Sequence, residues 1–209
     1  MNARCYGNNM KPVAIIDIDT TIANNDHRAV LLKRNCIGCK MPMGGEHRPV
    51  CSNCGGTKHH TPQEHWDQFL QPALMLQDVP QPHALRAIQS LREARWKIIF
   101  MTGRGERLRM VTEEWLLTHM GRRLSGLDHE PVIMRPASDK GTPASQMKEQ
   151  MFLNTRATYR LDGPFFFFED DKYVHGMFQK YGTVFMCPHA WEHINPAGHD
   201  RTEEPAWNR

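Results

Sequence analysis

The chain has 209 residues and a mass of 24.2 kDa, enough for one domain with an insertion but short for two independent domains. Its apolar fraction of 40% and charged fraction of 23% exclude a collagen-like or wholly disordered chain, and no run of residues is long and apolar enough for a membrane-spanning helix. The net charge of +3 permits a phosphate-bearing ligand but does not predict a surface that wraps a nucleic-acid duplex. Because the N-terminus lacks the apolar core of a secretory signal, we expect a cytoplasmic protein.

Strands and helices alternate along most of the chain. Short apolar runs predict strands, and apolar residues three or four positions apart predict helices. The predicted strands span residues 13–16, 96–101, 132–134, 165–168 and 183–186. The predicted helices span residues 22–32, 62–78, 85–94, 105–119, 143–153 and 172–180. This alternation indicates an α/β domain with a five-stranded parallel sheet, whose active site should lie at the carboxyl ends of the strands.

Polar and charged residues follow three of these strands. They are Asp17-Ile18-Asp19-Thr20-Thr21 after the first strand, Thr102-Gly103-Arg104 after the second and Glu169-Asp170-Asp171 after the fourth. Side chains two apart on an extended segment point to the same side, so Asp17 and Asp19 can act as a pair. Carboxylates this close repel each other unless a cation lies among them, and an all-oxygen set of ligands suits Mg²⁺.

These residues predict the hydrolysis of a phosphate ester. We expect Asp17 to attack phosphorus, with Mg²⁺ and Lys148 offsetting the repulsion between the carboxylate and the phosphate. Lys140, in the preceding loop, is an alternative to Lys148. The hydroxyl of Thr102 would hold the phosphoryl oxygens. Asp19 would protonate the leaving oxygen and then deprotonate the water that hydrolyses the aspartyl-phosphate.

The three groups that follow strands, together with Lys148, form four motifs. These motifs occur in the order found in the haloacid dehalogenase (HAD) superfamily of phosphohydrolases, which residues 12–188 resemble. The resemblance implies a Rossmann-like three-layer sandwich and a Mg²⁺-dependent phosphomonoesterase. It also implies that Asp17, Asp19 and Asp170 hold the magnesium ion, and it leaves the roles of Glu169 and Asp171 open. Thr20 stands where the superfamily motif usually has glycine.

Three features narrow the resemblance: Arg28 lies eleven residues after Asp17, Thr102-Gly103-Arg104 ends the second strand, and Met134-Arg135-Pro136 precedes Lys148. In these features the chain most resembles the 3′-phosphatase domain of phage polynucleotide kinase and its stand-alone phage relatives. That resemblance implies substrate contacts for Arg28, Gly103, Arg104 and Arg135. It implies a nucleotide or a nucleic-acid 3′- or 5′-phosphate as substrate, in the cytoplasm of the host cell if the chain is encoded by a phage. The family acid four residues before the lysine is Ala144 here. The sequence contains no G-x-x-x-x-G-K-[ST] motif, so we predict no kinase activity.

Four cysteines form two C-x-x-C pairs eleven residues apart. They are Cys36, Cys39, Cys51 and Cys54. In a reducing compartment this spacing indicates a four-thiolate zinc site rather than disulfides, and four protein ligands make such a zinc ion structural. We therefore divide the chain into a HAD-like core at residues 12–32 and 80–188, a zinc-binding cap insertion at 33–79, and tails at 1–11 and 189–209.

Two other functions remain open at this point. The chain could be a zinc-ribbon nucleic-acid-binding protein on a non-catalytic HAD-like scaffold, or a HAD phosphatase that acts on a small sugar phosphate. The resemblance implies that the insertion is a cap that selects the substrate, but the sequence of residues 33–79 contains no recognisable binding pocket. We predict no membrane association and no protein partner.

Overall fold

A computed structural model of the chain describes residues 11–32, 64–123, 126, 129–139 and 141–187, together with the backbone of residues 35–36, 59–60 and 63. The strands are β1 (Val13–Ile16), β2 (Ala23–Asn24), β3 (Asn35–Cys36), β4 (His59–His60), β5 (Val79–Pro80), β6 (Lys97–Gly105), β7 (Val132–Arg135), β8 (Phe165–Glu169) and β9 (Thr183–Met186). The helices are α1 (Asp26–Ala29), α2 (Gln63–Phe69), α3 (Pro72–Met75), α4 (Ala84–Glu93), α5 (Arg109–Met120), α6 (Ala144–Thr158) and α7 (Lys172–Phe178), and a 3₁₀ turn (Glu106–Leu108) precedes α5. None of the helices in these ranges has the length and apolar character needed to cross a lipid bilayer.

Five strands form a parallel sheet in the order β7-β6-β1-β8-β9. The chain first builds the sheet outward from β1 in one direction and then, with β8 and β9, in the other. Such a change of direction opens a crevice beyond the carboxyl ends of the two central strands. Asp17 follows β1 and Glu169 ends β8, so both residues lie at this switch point. The predicted α/β fold with a five-stranded parallel sheet is confirmed.

Alternate residues of β1 face opposite layers of helices. Ala14 and Ile16 belong to the core formed with α4 and α5, whereas Val13 and Ile15 belong to the core formed with α6 and α7. Because helices cover both faces, every residue of β1 is buried. The resulting helix–sheet–helix sandwich holds the strand ends, and the polar residues that follow them, in fixed positions.

The segment between β1 and α4 differs most from the sequence prediction. The helix predicted over residues 22–32 is instead the short strand β2 followed by the single turn α1. The chain turns tightly after β1, where the amides of Ile22 and Ala23 both donate to the carbonyl of Ile18 at 3.0 and 2.9 Å. The helix predicted over 62–78 is divided into α2 and α3, because Pro72 begins a new helix rather than continuing the first one.

The predicted cap, residues 33–79, is described mainly over its C-terminal part. Strand β3 pairs antiparallel with β4, which places Cys36 opposite His59, and β5 pairs antiparallel with β2. Cys39, Cys51 and Cys54 lie outside the described residues, and only the backbone of Cys36 is described. The zinc site and the boundaries of the cap therefore stay predictions.

Candidate active site

Three carboxylates meet at the switch point of the sheet. One oxygen each of Asp17, Glu169 and Asp170 lies within 4.8 Å of the others. Asp17 and Glu169 are buried and Asp170 is half-buried. Carboxylates at this separation repel each other, so the acidic cluster (Asp17, Glu169, Asp170) favours a bound cation, and oxygen ligands suit Mg²⁺. Asp17 and Asp170 are two of the three metal ligands that the sequence predicted, and Glu169, rather than the third predicted ligand Asp19, lies beside them.

Lys148, from α6, neutralises part of this negative charge. Its Nζ atom donates to Oδ1 of Asp17 and to Oε2 of Glu169, both at 2.7 Å, and its side chain is buried. Burial opposes the charged form of the amine, but the two carboxylates outweigh it and hold the pKa of Lys148 above its usual value. For the two acids burial has the larger effect. It raises the pKa of Asp17 well above its usual value and that of Glu169 to about 7, although Lys148 acts to lower both pKa values. The structure thus brings Lys148 into the site, while Lys140 lies outside the described residues.

The third acid after β8 has a different role. Asp171 is the N-cap of α7, and its side chain accepts hydrogen bonds from the amides of Tyr173 and Val174 at 2.8 and 3.4 Å. A carboxylate at this position satisfies amides that have no partner within the helix. The sequence left Glu169 and Asp171 as alternatives beside Asp170, and the geometry assigns Asp171 to the helix cap.

Two threonines after β1 hold Asp170. The hydroxyl of Thr21 donates to Oδ1 of Asp170 at 3.1 Å, and the hydroxyl of Thr20 donates to Oδ2. Thr20 has a φ of 62°, a left-handed conformation that glycine adopts without strain and a β-branched residue rarely adopts.

Asp19 contacts two arginines and is not a member of the acidic cluster. Arg104 donates from Nε and Nη2 to the two oxygens of Asp19 at 2.9 and 2.8 Å, and Arg28 donates from Nη2 at 3.0 Å. Burial acts to raise the pKa of Asp19, but the charges and hydrogen bonds of Arg104, and then of Arg28, outweigh it and hold the pKa well below its usual range. About 30% of the Asp19 side chain is exposed, so an ionised carboxylate borders the crevice.

Asp78, just before β5, completes this arrangement and was missed by the sequence analysis. Its two oxygens accept hydrogen bonds from Nε and Nη2 of Arg28 at 2.6 and 2.7 Å, and from Nη2 of Arg104 at 2.9 Å. In this arginine–aspartate network (Asp19, Arg28, Asp78, Arg104) the four formal charges cancel. Nothing in the sequence around Asp78 marks it as functional, and the fold brings it to two arginines that lie 50 and 26 positions away in the chain.

Thr102 also contacts this network, and Gly103 follows Thr102 in the chain. The hydroxyl of Thr102 donates to Oδ2 of Asp19 at 3.3 Å and accepts a hydrogen bond from the amide of Arg104 at 3.1 Å. Gly103 lies between them in β6, half-buried. The described contacts of Thr102, Arg28 and Arg104 are thus with other groups of the protein, and direct contact of these residues with a substrate stays a prediction.

Arg135 contacts the loop between β7 and α6. Its Nε atom lies 3.1 Å from Oδ2 of Asp139, and its Nη2 atom donates to the carbonyl of Thr142 at 3.2 Å. These contacts tie the end of β7 to the loop that leads into the helix bearing Lys148. Contact of Arg135 with a substrate also stays a prediction.

The fold and these contacts define a Rossmann-like α/β protein with an acidic, lysine-bearing crevice at the switch point of its sheet. No protein-family model matches the chain, and no curated protein sequence matches it. Among solved structures, the chain is similar to a chain in the structure of the Pnkp1/Rnl/Hen1 RNA repair complex, with a TM-score of 0.51 and 16% sequence identity. The similarity covers 86% of this chain and 43% of that chain, so this protein corresponds to less than half of its neighbour's length. At this identity the likeness supports the fold alone.

Proposed function

We propose that the protein is a Mg²⁺-dependent phosphomonoesterase of the HAD superfamily, which works through an aspartyl-phosphate. The observation that carries this proposal is the contact of Asp17 with Lys148 beside Glu169 and Asp170. A carboxylate can attack a phosphate ester only where positive charge offsets their mutual repulsion. Lys148 supplies one such charge, and the acidic cluster provides the ligands for another.

The donor set of the acidic cluster fits Mg²⁺, because its three members are carboxylates in close proximity. Asp17, Glu169 and Asp170 would hold the ion. When bound, Mg²⁺ would offset the charge of the phosphoryl oxygens and of the surrounding carboxylates. The predicted ligand role of Asp19 is not needed for this set, since two arginines already hold its side chain.

The proposed reaction has two steps. In the first, a carboxylate oxygen of Asp17 forms a bond to phosphorus, and the bond from phosphorus to the leaving oxygen breaks as that oxygen takes up a proton. In the second, water attacks phosphorus, gives a proton to Asp19, and regenerates Asp17 with the release of phosphate. Both arginines keep Asp19 ionised, which suits it to the second step. For the first step Asp19 must carry a proton, and the proton that it takes from water in the second step supplies the next turnover.

The substrate class we propose is a nucleotide or a terminal 3′- or 5′-phosphate of a nucleic acid. The similarity of the fold to a chain from an RNA repair complex supports this class, as does the resemblance of the motifs to polynucleotide 3′-phosphatase domains. A sugar phosphate is the alternative substrate. A non-catalytic nucleic-acid-binding scaffold is disfavoured, because burying Lys148 with two carboxylates has a desolvation cost that a scaffold has no need to bear.

We also propose that residues 33–79 form a cap that a structural zinc ion holds together. The ligands would be the four cysteines named above, at positions 36, 39, 51 and 54. The pairing of β3 with β4 supports this proposal, because it places Cys36, the first of these cysteines, opposite His59, which follows the last of them in the chain. Four thiolates leave no open position for a substrate, so the zinc ion would take no part in hydrolysis.

The test is a phosphate-release screen in the presence of Mg²⁺. Its substrates are mononucleotides, 3′- and 5′-phosphorylated oligonucleotides, a sugar phosphate and p-nitrophenyl phosphate. The wild-type protein should release phosphate, and Asp17→Asn should lower the rate at least about 1,000-fold because the nucleophile is lost. The control is Asp162→Asn, an exposed aspartate before the amino end of β8, which should retain the full rate.

Two results would contradict the proposal. Retained turnover in Asp17→Asn would exclude the aspartyl-phosphate. Nucleic-acid binding by a wild-type protein that releases phosphate from none of these substrates would favour the non-catalytic scaffold.

A further inference from the structure

Asp78 is one of the two completely buried members of the arginine–aspartate network, the other being Arg28. Its side chain is completely buried, whereas about 30% of the Asp19 side chain is exposed. Asp78 therefore cannot touch a substrate in the crevice. Any effect of Asp78 on the chemistry must pass through the arginines it contacts.

Both arginines connect Asp78 to Asp19. The Nη2 atom of Arg28 donates to Oδ2 of Asp78 and to Oδ1 of Asp19, at 2.7 and 3.0 Å. The Nη2 atom of Arg104 likewise donates to both carboxylates, at 2.9 and 2.8 Å. Each guanidinium is planar and rigid, so holding it at Asp78 also fixes the N–H groups that point at Asp19.

The backbone of Asp78 is itself held in place. The indole nitrogen of Trp115, in α5, donates to its carbonyl at 2.7 Å, and its own amide donates to the carbonyl of Met75 at 3.2 Å. The ring of Phe69 lies 4.1 Å from the guanidinium of Arg28, and the carbonyl of Phe69 accepts a hydrogen bond from that group. Asp78 is thus a fixed anchor rather than a mobile surface acid.

We propose that Asp78 is a positioning residue that sets the orientation of the Asp19 carboxyl group through Arg28 and Arg104. Without Asp78, two buried guanidinium groups would share one carboxylate, and one positive charge would have no partner. The guanidinium groups would then shift toward water or crowd onto Asp19, and Asp19 would lose its fixed direction. This inference rests on the proposed phosphatase function and identifies a residue in the 33–79 segment that supports the catalytic core.

The consequence depends on the leaving group. An alkyl alcohol leaves as a strong base and needs a proton from Asp19, whereas p-nitrophenolate leaves without one. The constant kcat/KM reports only steps up to the cleavage of the ester. A misdirected Asp19 should therefore lower kcat/KM for an alkyl phosphate and affect p-nitrophenyl phosphate much less.

The experiment compares Asp78→Asn with the wild-type protein on p-nitrophenyl phosphate and on a nucleoside monophosphate, both with Mg²⁺. We expect kcat/KM for the nucleotide to fall about 10- to 100-fold, mainly in kcat, while the value for p-nitrophenyl phosphate changes less than about threefold. Equal losses on both substrates, or no loss on either, would overturn the positioning role. A wild-type protein that releases phosphate from none of the substrates of the phosphate-release screen would instead overturn the proposed function itself.

Two further variants separate positioning from folding. Glu130→Gln removes another buried carboxylate, which lies away from the crevice and accepts two hydrogen bonds at 2.7 Å from Arg92. It should change kcat/KM for both substrates equally or not at all. Trp115→Phe removes the N–H that holds the backbone of Asp78, together with part of a buried ring, and should lower kcat/KM for the nucleotide about 3- to 10-fold with the p-nitrophenyl phosphate value unchanged. If Asp78→Asn does not fold, the Trp115→Phe result decides the question, because an equal effect on both substrates would overturn the inference.

Discussion

Replacing Lys148 by methionine tests whether a single ammonium group holds the acidic cluster together. Methionine keeps most of the length and apolar volume of the lysine stem but removes the charge and its hydrogen bonds. In the native protein that ammonium donates to Asp17 and Glu169 at 2.7 Å, and all three side chains are buried. The substitution therefore leaves two buried carboxylates facing each other without their shared cation.

The expected cost can be worked out from these contacts. A hydrogen bond to a charged group contributes about 1.5–3 kcal/mol, and removing one partner of a buried ion pair costs about 3–5 kcal/mol. We therefore expect Lys148→Met to lower the free energy of unfolding by about 3–5 kcal/mol at pH 8 in the absence of divalent cations. The loss should be smaller at pH 5, where the two carboxyl groups can take up protons, and Mg²⁺ should restore part of the stability at pH 8.

The assay is urea unfolding followed by circular dichroism, with EDTA or with Mg²⁺. The matched control is Lys180→Met, because Lys180 also pairs with a glutamate, at 3.4 Å, but is 63% exposed. Water screens that pair, so its loss should change stability little at either pH. If the two variants were equally stable at pH 8, the reasoning from burial would be refuted.

Two more predictions concern the metals. Burial, aided by the charge of Asp170 and opposed by Lys148, raises the pKa of Glu169 from 4.5 to about 7. A raised folded-state pKa stabilises the protein at low pH, and this contribution is lost as the pH rises through 7. Between pH 5 and 8 the metal-free wild type should therefore lose about 3 kcal/mol more stability than Glu169→Gln. Mg²⁺ should raise the Tm of the wild type more at pH 8 than at pH 5. An identical pH dependence in Glu169→Gln would contradict this assignment. Metal analysis after dialysis should find about one zinc ion per chain, which Cys36→Ser should release, whereas four free thiols without zinc would exclude the proposed cap site.

Much of the fold could be predicted because its signals are local. The apolar run of β1 ends abruptly at Asp17, and apolar residues at helical spacing mark α4 and α5. Each of these patterns depends only on neighbouring residues that face one side of a strand or helix. The same reasoning failed over residues 22–32, where a tight turn against Ile18 replaces the expected helix with β2 and α1.

The candidate site divides in the same way. Asp17, Asp19 and Lys148 could be selected because they follow strands or lie on a helix beside them, and parallel strands end at a common edge. Asp78 could not be selected, because its partners Arg28 and Arg104 lie 50 and 26 positions away in sequence. The choice between Glu169 and Asp171 also needed the structure, since both follow the same apolar run and only one of them caps a helix.

The sequence by itself determined the order of strands and helices, the acids that end the strands and the cysteine spacing, because these are properties of short stretches of chain. Only the tertiary structure decided which of the charged groups neutralise one another. It placed Lys148 between two carboxylates and joined Asp19 to Asp78 through two arginines. The physical reason is that a buried charge requires a partner, and that partner is set by the packing of elements distant in sequence.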